Sequence, residues 1–139
     1  MLRRLQEKEK KVTEALNLLA EESAKGTTIL VEGKKDVETL RALNVRGTII
    51  TVKTGGKSYL DIVSELEKRK LAKVILLLDF DRRGKQGTNR LRHNLERTGI
   101  KVELEVWLTL LGSVGKDVQC IEGLATYLES LKARIDIMS

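Results

Sequence analysis

The chain has 139 residues, of which 41% are hydrophobic and 33% are charged. This composition is typical of a globular domain with a real core and excludes a disordered chain. The formal net charge of +6 favours a polyanionic partner such as nucleic acid. A single cysteine excludes an internal disulfide and a cysteine-rich zinc site.

Membrane insertion and secretion are not expected. The sequence has no apolar run of about 18 residues, the length that a membrane span needs. The amino terminus, MLRRLQEKEKKV, is too highly charged for a signal peptide. We therefore expect a cytoplasmic protein.

The first segment predicts an amphipathic helix over about residues 2–24. Leu5, Val12, Leu16 and Leu19 repeat at helical spacing opposite a face of Lys and Glu. Gly26 then ends the pattern. We divide the chain into this helix, residues 1–25, and one domain over residues 26–139, and we expect the helix to serve as a docking segment for a homodimer or a larger assembly.

Apolar strands alternate with helical patterns through the rest of the chain. The predicted strands are 27–32, 47–52, 73–79 and 101–108, and the predicted helices are 34–44, 58–70, 86–98 and 116–135. This alternation indicates an α/β fold, a Rossmann-like parallel sheet of about four strands flanked by helices. Trp107, in the last strand, and Cys120, in the last helix, are interpreted as core residues.

Acidic residues follow two of the strands. Glu32 comes directly after the first strand, and Asp79 and Asp81 follow the third. Carboxyl ends of parallel strands share one edge of a sheet, so these side chains should converge. Crowded carboxylates raise one another's pKa unless a cation compensates them, and oxygen ligands without His or Cys favour Mg²⁺ or Mn²⁺. The alternative is a salt-bridged turn, in which Asp79 and Asp81 pair with Arg82, Arg83 or a nearby lysine.

Basic residues crowd the same edge of the predicted sheet. Their number suits a phosphate-bearing substrate, RNA or DNA, whose charge a metal ion and the cations would neutralise together. The candidates for nucleic-acid binding are Lys34, Lys35, Lys53, Lys57, Arg82, Arg83 and Lys85.

Two motifs resemble the Toprim domain, which occurs in bacterial-type primases, type IA and type II topoisomerases, OLD-family nucleases and the maturase of small ribosomal RNA. ILVEGKKD is followed about forty residues later by ILLLDFDRRG, which matches a strand ending in Glu-Gly and a later strand ending in Asp-x-Asp. KTGGKS, between the two motifs, resembles the glycine turn of the maturase branch. The resemblance covers about residues 27–108.

The resemblance implies roles for individual residues. Glu32 would act as general acid or base or as an extra metal ligand, and Asp79 and Asp81 would hold Mg²⁺. Asp36 matches the Glu-x-x-x-Asp of the nuclease branch, where it helps to hold a second metal. Arg83 stands where topoisomerases carry a third acid, which favours the primase, nuclease or maturase branches. Glycines expected to turn the backbone towards phosphate are Gly33, Gly55, Gly56 and Gly84.

The resemblance therefore implies a Mg²⁺-dependent protein that cleaves or transfers phosphodiesters in RNA or DNA. Two alternatives remain open, a non-catalytic nucleic-acid-binding module and a subunit of an RNA-processing or replication assembly. Asp117, in a weak match to a primase Gly-Lys-Asp element, is interpreted as the N-cap of the last helix, with an approach to the site as the alternative.

Overall fold

Short strands with buried apolar residues build a parallel sheet at the centre of the molecule. The structure, a computed structural model, describes residues 1–53 and 58–139. Within these residues the sheet has four strands in the order β2-β1-β3-β4, and every neighbouring pair is parallel. The predicted α/β fold with a parallel four-stranded sheet is therefore confirmed. The strands are β1 (Thr28–Val31), β2 (Ile49–Thr51), β3 (Lys73–Leu76) and β4 (Lys101–Glu103).

Helices cover both faces of this sheet. None of the helices in the described residues is long and apolar enough to cross a membrane. Their bounds are α1 (Leu2–Ala24), α2 (Lys34–Ala42), α3 (Tyr59–Lys68), α4 (Arg82–Arg97), α5 (Glu105–Val114) and α6 (Leu124–Met138), the last preceded by a 3-10 turn at Ile121–Gly123.

The alternation of side chains along the strands divides the core into two layers. Ile29 and Ile75 point to one face of the sheet, where α1, α2, α5 and α6 supply the packing residues. Leu30 and Leu76 point to the other face, towards α3 and α4. Because both faces are covered, the strands lack the apolar-polar alternation of a half-exposed sheet.

The amino-terminal helix uses its apolar face inside the chain. α1 packs against α5 and α6, and Val12 and Leu19 are completely buried there. The predicted helix bounds are confirmed within a residue. A dimer formed through α1 would therefore have to use the polar face of this helix, since its apolar face is already covered.

The predicted fourth strand is wrong beyond residue 103. Val102, Leu104, Val106 and Leu108 alternate as in a strand, yet α5 begins at Glu105. The Glu103 carboxylate accepts the backbone N–H of Glu105 at 2.7 Å, which supports the change from strand to helix. The apolar residues of α5 then bury a helical stripe, and tertiary packing decides between the two periodicities.

The predicted last helix begins too early. Residues 116–120 form turns and bends, and α6 starts at Leu124 with Gly123 as its N-cap. Asp117 is therefore not a helix cap. Its Oδ2 accepts hydrogen bonds from Lys8 Nζ at 2.7 Å and from the Tyr127 hydroxyl at 2.8 Å, which ties α1 to the carboxy-terminal region.

Trp107 belongs to α5 rather than to a strand, and it is buried as expected. Its ring lies 6.4 Å from that of Phe80, between centroids. Its indole Nε1 donates to the carbonyl oxygen of Leu78 at 2.8 Å, just where the chain leaves β3. Trp107 therefore anchors the segment that leads to Asp79.

We expect Trp107→Phe to lower the free energy of unfolding by about 2 kcal/mol, because it leaves the buried Leu78 carbonyl without its donor. Urea unfolding measures this change. Leu108→Ala, at the neighbouring and 55% exposed position, should change the free energy by less than about 0.5 kcal/mol. Equal stability of Trp107→Phe and the wild type would contradict the anchoring role.

Candidate metal and phosphate site

Glu32 lies directly after the central strand and is almost completely buried, with 6% of its surface exposed. The next strand supplies its nearest cation, because the Lys53 backbone N–H donates to the Glu32 carbonyl at 3.1 Å and sets the two residues side by side. Lys53 Nζ lies 3.6 Å from Glu32 Oε1. β1 and β2 thus place a buried carboxylate and a half-exposed lysine at one edge of the sheet.

Asp79 lies at the same edge, on the other side of β1. Its Oδ1 accepts the backbone N–H of Ile121 at 3.0 Å, and the following Phe80 N–H donates to the Gln119 carbonyl at 2.7 Å. The segment before α6 thus holds the acidic turn in place. Phe80 itself is buried.

Asp81 caps α4. Its Oδ1 accepts the Gly84 backbone N–H at 2.8 Å, which satisfies one of the free donors of the first helical turn. Within the part of the chain that the structure describes, neither Asp79 nor Asp81 forms an ion pair with Arg82 or Arg83. Neither acid pairs with a lysine of the described residues either, so the salt-bridged turn is not observed there, while Lys57 lies outside them.

Burial and neighbouring acids make Asp79 difficult to ionise. Burial raises the pKa of Asp79 to about 7, and the hydrogen bond with Glu32 and the charges of Glu32 and Asp81 act in the same direction. The Ile121 N–H opposes this rise in pKa. In the absence of a cation, a substantial fraction of Asp79 is therefore protonated at neutral pH.

Asp36 joins the site from the first turn of α2. Only 6% of its surface is exposed, and its Oδ2 accepts the Gly33 backbone N–H at 2.9 Å. Burial raises the pKa of Asp36, the Gly33 N–H lowers it, and the charges of Asp79 and Glu122 raise it further. Asp36 therefore belongs to the same electrostatic group as Asp79.

Glu32, Asp36 and Asp79, but not Asp81, line one cavity of about 290 Å³ at the carboxyl edge of the sheet. Acids and cations both line it, as the sequence had led us to expect. The lining comprises Glu32, Gly33, Lys34, Lys35, Asp36, Lys53, Asp79, Cys120 and Glu122.

The remaining basic candidates lie elsewhere. Arg83 lines a neighbouring groove, together with Lys53. Arg82 and Lys85 are exposed in the first turn of α4 and line neither cavity. Lys57, together with Gly55 and Gly56, lies outside the described residues.

Two of the glycines expected to contact phosphate have other roles. The Gly33 N–H is taken by Asp36 and the Gly84 N–H by Asp81, so neither donor is free for a phosphate oxygen in this arrangement. Gly84 is required for packing, because a Cβ there would collide with the backbone of Asp79. The sequence shows the glycine, but only the structure shows which atoms it must approach.

Sequence reasoning missed Glu122 and the closing segment around it. Residues 119–123 were predicted as part of a helix. In a helix their backbone N–H and carbonyl groups would bond to one another and could not reach the acidic turn at Asp79. Cys120 is half-buried at the wall of the cavity, and burial raises the pKa of its thiol. No residue pattern predicts the contacts of this segment with the acidic turn, because two of them are made by the backbone of Gln119 and Ile121.

The side chains present fit a magnesium ion by their chemistry. Glu32, Asp79 and Asp81 offer only carboxylate oxygens, and Asp79 and Asp81 each have one oxygen beyond the one that binds a backbone N–H. No three acidic, His or Cys side chains among residues 1–53 and 58–139 are already grouped to hold an ion. Mg²⁺ commonly binds through one or two carboxylates and completes its shell with water and phosphate, so such a group is not required.

The raised pKa of Asp79 predicts a stability that depends on pH. The folded-state pKa of about 7 exceeds the ordinary value of 3.8, so the folded chain binds the proton more tightly. This contribution to stability is complete below about pH 4 and is lost as the pH rises through 7. In EDTA, we expect Asp79→Asn to gain about 3–6 °C in Tm relative to wild type between pH 4 and pH 8.

The control is Asp136→Asn, which removes an exposed carboxyl of α6 and should show no such gain. Thermal unfolding at a series of pH values measures both differences. A pH-independent difference between Asp79→Asn and wild type would show that the carboxyl of Asp79 ionises normally.

Comparison with known proteins assigns the family. The profile described as the Toprim domain matches residues 26–104. A UPF0292 protein of Methanocaldococcus jannaschii is 39% identical over 123 residues, which are 88% of this chain and 91% of that protein. A UPF0292 protein of Archaeoglobus fulgidus is 33% identical over 118 residues, which are 85% and 90% of the two chains.

A solved structure agrees with the sequence comparisons. A protein from Aquifex aeolicus superimposes with a TM-score of 0.64 and 31% identity, and the match covers 78% of this chain and 94% of that one. Toprim domains generally bind Mg²⁺ and are associated with metal-dependent functions on nucleic acids. The chain belongs to the Toprim domain family and is similar over most of its length to the UPF0292 proteins of archaea.

Proposed function

We propose that this protein cleaves or transfers phosphodiester bonds in nucleic acid with the help of Mg²⁺ or Mn²⁺. The observation that carries the proposal is the convergence of Glu32, Asp36 and Asp79 on one cavity whose rim is formed by lysines. A site made of acids alone would repel a phosphate group. A site that bound phosphate through lysines alone would not require buried carboxylates. The two together match a substrate and a cation that carry opposite charges.

Asp79 and Asp81 would hold the ion, with Glu32 as a further ligand or as the proton-transfer group. Asp36 would support a second ion, as the nuclease branch of the family implies. When bound, the ion supplies Lewis-acid stabilisation of charge on the phosphate oxygens. Together these four carboxylates give the site a concentration of negative charge that the described chain compensates only in part, through Lys53.

Glu32 is suited to proton transfer because it is buried and has a cation close to it. Its carboxylate lies 3.6 Å from Lys53 Nζ and is hydrogen-bonded with Asp79. A proton taken from an attacking water or hydroxyl could be kept within this pair rather than released to solvent. Lys34 and Lys35 line the same cavity and would neutralise the phosphate on its open side.

Glu32→Gln tests the catalytic part of the proposal. Removal of the proton acceptor should lower Mg²⁺-dependent cleavage by at least about 100-fold, while the affinity for the same substrate changes less than about threefold. Cleavage is followed on labelled single-stranded, duplex and structured RNA and DNA. The matched control is Glu129→Gln on the exposed face of α6, which should cleave as the wild type does.

If Glu32→Gln cleaves as fast as the wild type, Glu32 takes no part in the reaction. Tight, salt-sensitive binding by a wild-type protein that cleaves none of these substrates would instead support the non-catalytic module, or a subunit of an RNA-processing or replication assembly. A wild-type protein that binds no nucleic acid would contradict both functions.

Binding of the ion is tested without any substrate. A hundredfold excess of Mg²⁺ over its Kd should stabilise the wild-type protein by about 2–3 kcal/mol at pH 8, seen as a rise in Tm. Asp79→Asn combined with Asp81→Asn should abolish this rise, because it removes the carboxylates that would hold the ion. Asp136→Asn should keep it, and a rise that survives the double substitution would place the ion elsewhere.

A further inference from the structure

A second and larger cavity lies beside the acidic site and has no role in the function proposed so far. It is a groove of about 990 Å³ between the end of β2, the start of α3 and one side of α4. We call it the α3–α4 groove. The residues on which its chemistry depends are Lys53, Tyr59, Arg83, Gln86, Asn89 and Arg90.

The groove is positively charged. Lys53, Arg83 and Arg90 line it, and no Asp or Glu does among the lining residues that the structure describes. Arg83 and Arg90 are exposed and form no ion pair with a described residue, whereas Arg92 on the same helix pairs with Glu96. Two arginines that have no carboxylate partner and face one cavity suit an anionic ligand.

One wall of the groove carries an aromatic ring with a guanidinium above it. The Arg90 guanidinium carbon lies 5.4 Å from the centroid of the Tyr59 ring, within the range of a cation–π contact. Gly87 permits this arrangement, since a Cβ there would collide with the Tyr59 hydroxyl. Ser58 fixes the start of α3 by accepting the Asp61 N–H, so Tyr59 stands on a capped helix end.

The groove is continuous with the acidic site. Lys53 lines both cavities and is the cation paired with Glu32. A polyanion whose reacting phosphate lies beside Glu32 could therefore extend past Lys53 towards Arg83 and Arg90 without meeting a carboxylate of the groove lining that the structure describes. The charge and the continuity together suggest a polymer rather than a single small anion.

We propose that the α3–α4 groove binds a single-stranded segment of nucleic acid that continues from the acidic site. Lys53, Arg83 and Arg90 contact its phosphates, and the Tyr59–Arg90 pair offers a flat surface on which one base stacks. Gln86 and Asn89, both exposed along the same side of α4, supply amide groups that can reach base edges. This inference rests on the proposed function, and it specifies that the nucleic-acid segment bound beside the acidic site is single-stranded.

The preference for a single strand follows from the stacking surface. Faces of paired bases are covered by their neighbours in a duplex, so an aromatic or guanidinium plane can stack only on an unpaired base. A groove that recognised duplex backbone alone would need the cations but not Tyr59. The contribution of Tyr59 therefore distinguishes the two kinds of ligand.

The test is the affinity of the full chain for short labelled oligonucleotides, measured by fluorescence anisotropy in EDTA. The probes are oligo(U) and oligo(dT) of about twelve nucleotides and a duplex of the same length. Arg90→Ala should weaken single-strand binding by at least about fivefold and reduce the salt slope by about 0.7, as expected for one lost phosphate contact. The matched control Arg92→Ala should stay within about twofold of wild type.

Substitutions of Tyr59 separate stacking from charge. Tyr59→Phe keeps the ring and should bind as wild type does, whereas Tyr59→Ala should lose at least about fivefold for single strands and little for the duplex. Circular dichroism melts establish that each variant is folded. If Tyr59→Ala does not fold, Arg90→Lys, which keeps the charge but loses the planar guanidinium, replaces it and should show the same selective loss for single strands.

The outcomes separate this inference from the function on which it rests. Cleavage that depends on Glu32, together with binding that depends on Lys34 but not on Arg90 or Tyr59, would overturn the groove and leave the proposed function standing. Losses equal for duplex and single strand would overturn the single-strand assignment. Equal losses on oligo(U) and oligo(dT) support recognition through phosphate and stacking, and losses on oligo(U) alone support the groove as an RNA site that also reads the 2′-hydroxyl. No binding of the single-stranded probes by the wild type would overturn the groove, whereas the proposed function is overturned only by the cleavage and binding assays with Mg²⁺ described for it.

Discussion

The position of β1 between β2 and β3 is the constraint on which the rest of the molecule depends. β1 is hydrogen-bonded in parallel on both sides, so the chain segments that leave all three strands emerge at the same edge. This register sets Glu32 between Lys53 and Asp79. A shift of one residue in β1 would turn Glu32 towards one of the two packed faces, where a carboxylate would have no cation near it. Pairing of β1 with β2 and β3 therefore brings Glu32, Lys53 and Asp79 to the same edge of the sheet.

The acidic site also shows how a buried carboxyl group is tolerated. Asp79 has no cation of its own among the described residues, and two things support it, the Ile121 N–H and a hydrogen bond shared with Glu32. Among residues 1–53 and 58–139, Lys53 is the cation that pairs with Glu32. The half-buried carboxyl of Asp79 is more easily protonated than a free one, and the cation in the proposed function would remove the cause.

The fold could be predicted from the sequence because its strands and most of its helices are set by local patterns. Apolar runs ending in Glu32 and Asp79 indicated parallel strands, and the topology of such sheets placed both acids at one edge. The patterns failed where tertiary contacts decide. The strand-like alternation of Val102 to Leu108 continues past the end of β4 into the first turn of α5. Residues 116–120 were predicted as helix but turn back to contact the site. The Tyr59–Arg90 pair could not be foreseen either, since it depends on the close approach that Gly87 allows.

The hydrogen bonds that hold the acidic turn come from residues far along the chain. Leu78, Asp79 and Phe80 are held by Trp107, Ile121 and Gln119, all of which lie beyond the stretch 26–104 that defines the family match. During synthesis from the amino terminus, Glu32 and Asp79 emerge from the ribosome well before their supports. The acids can therefore be brought to one edge early, but they acquire their final orientation only after residue 121 has been added.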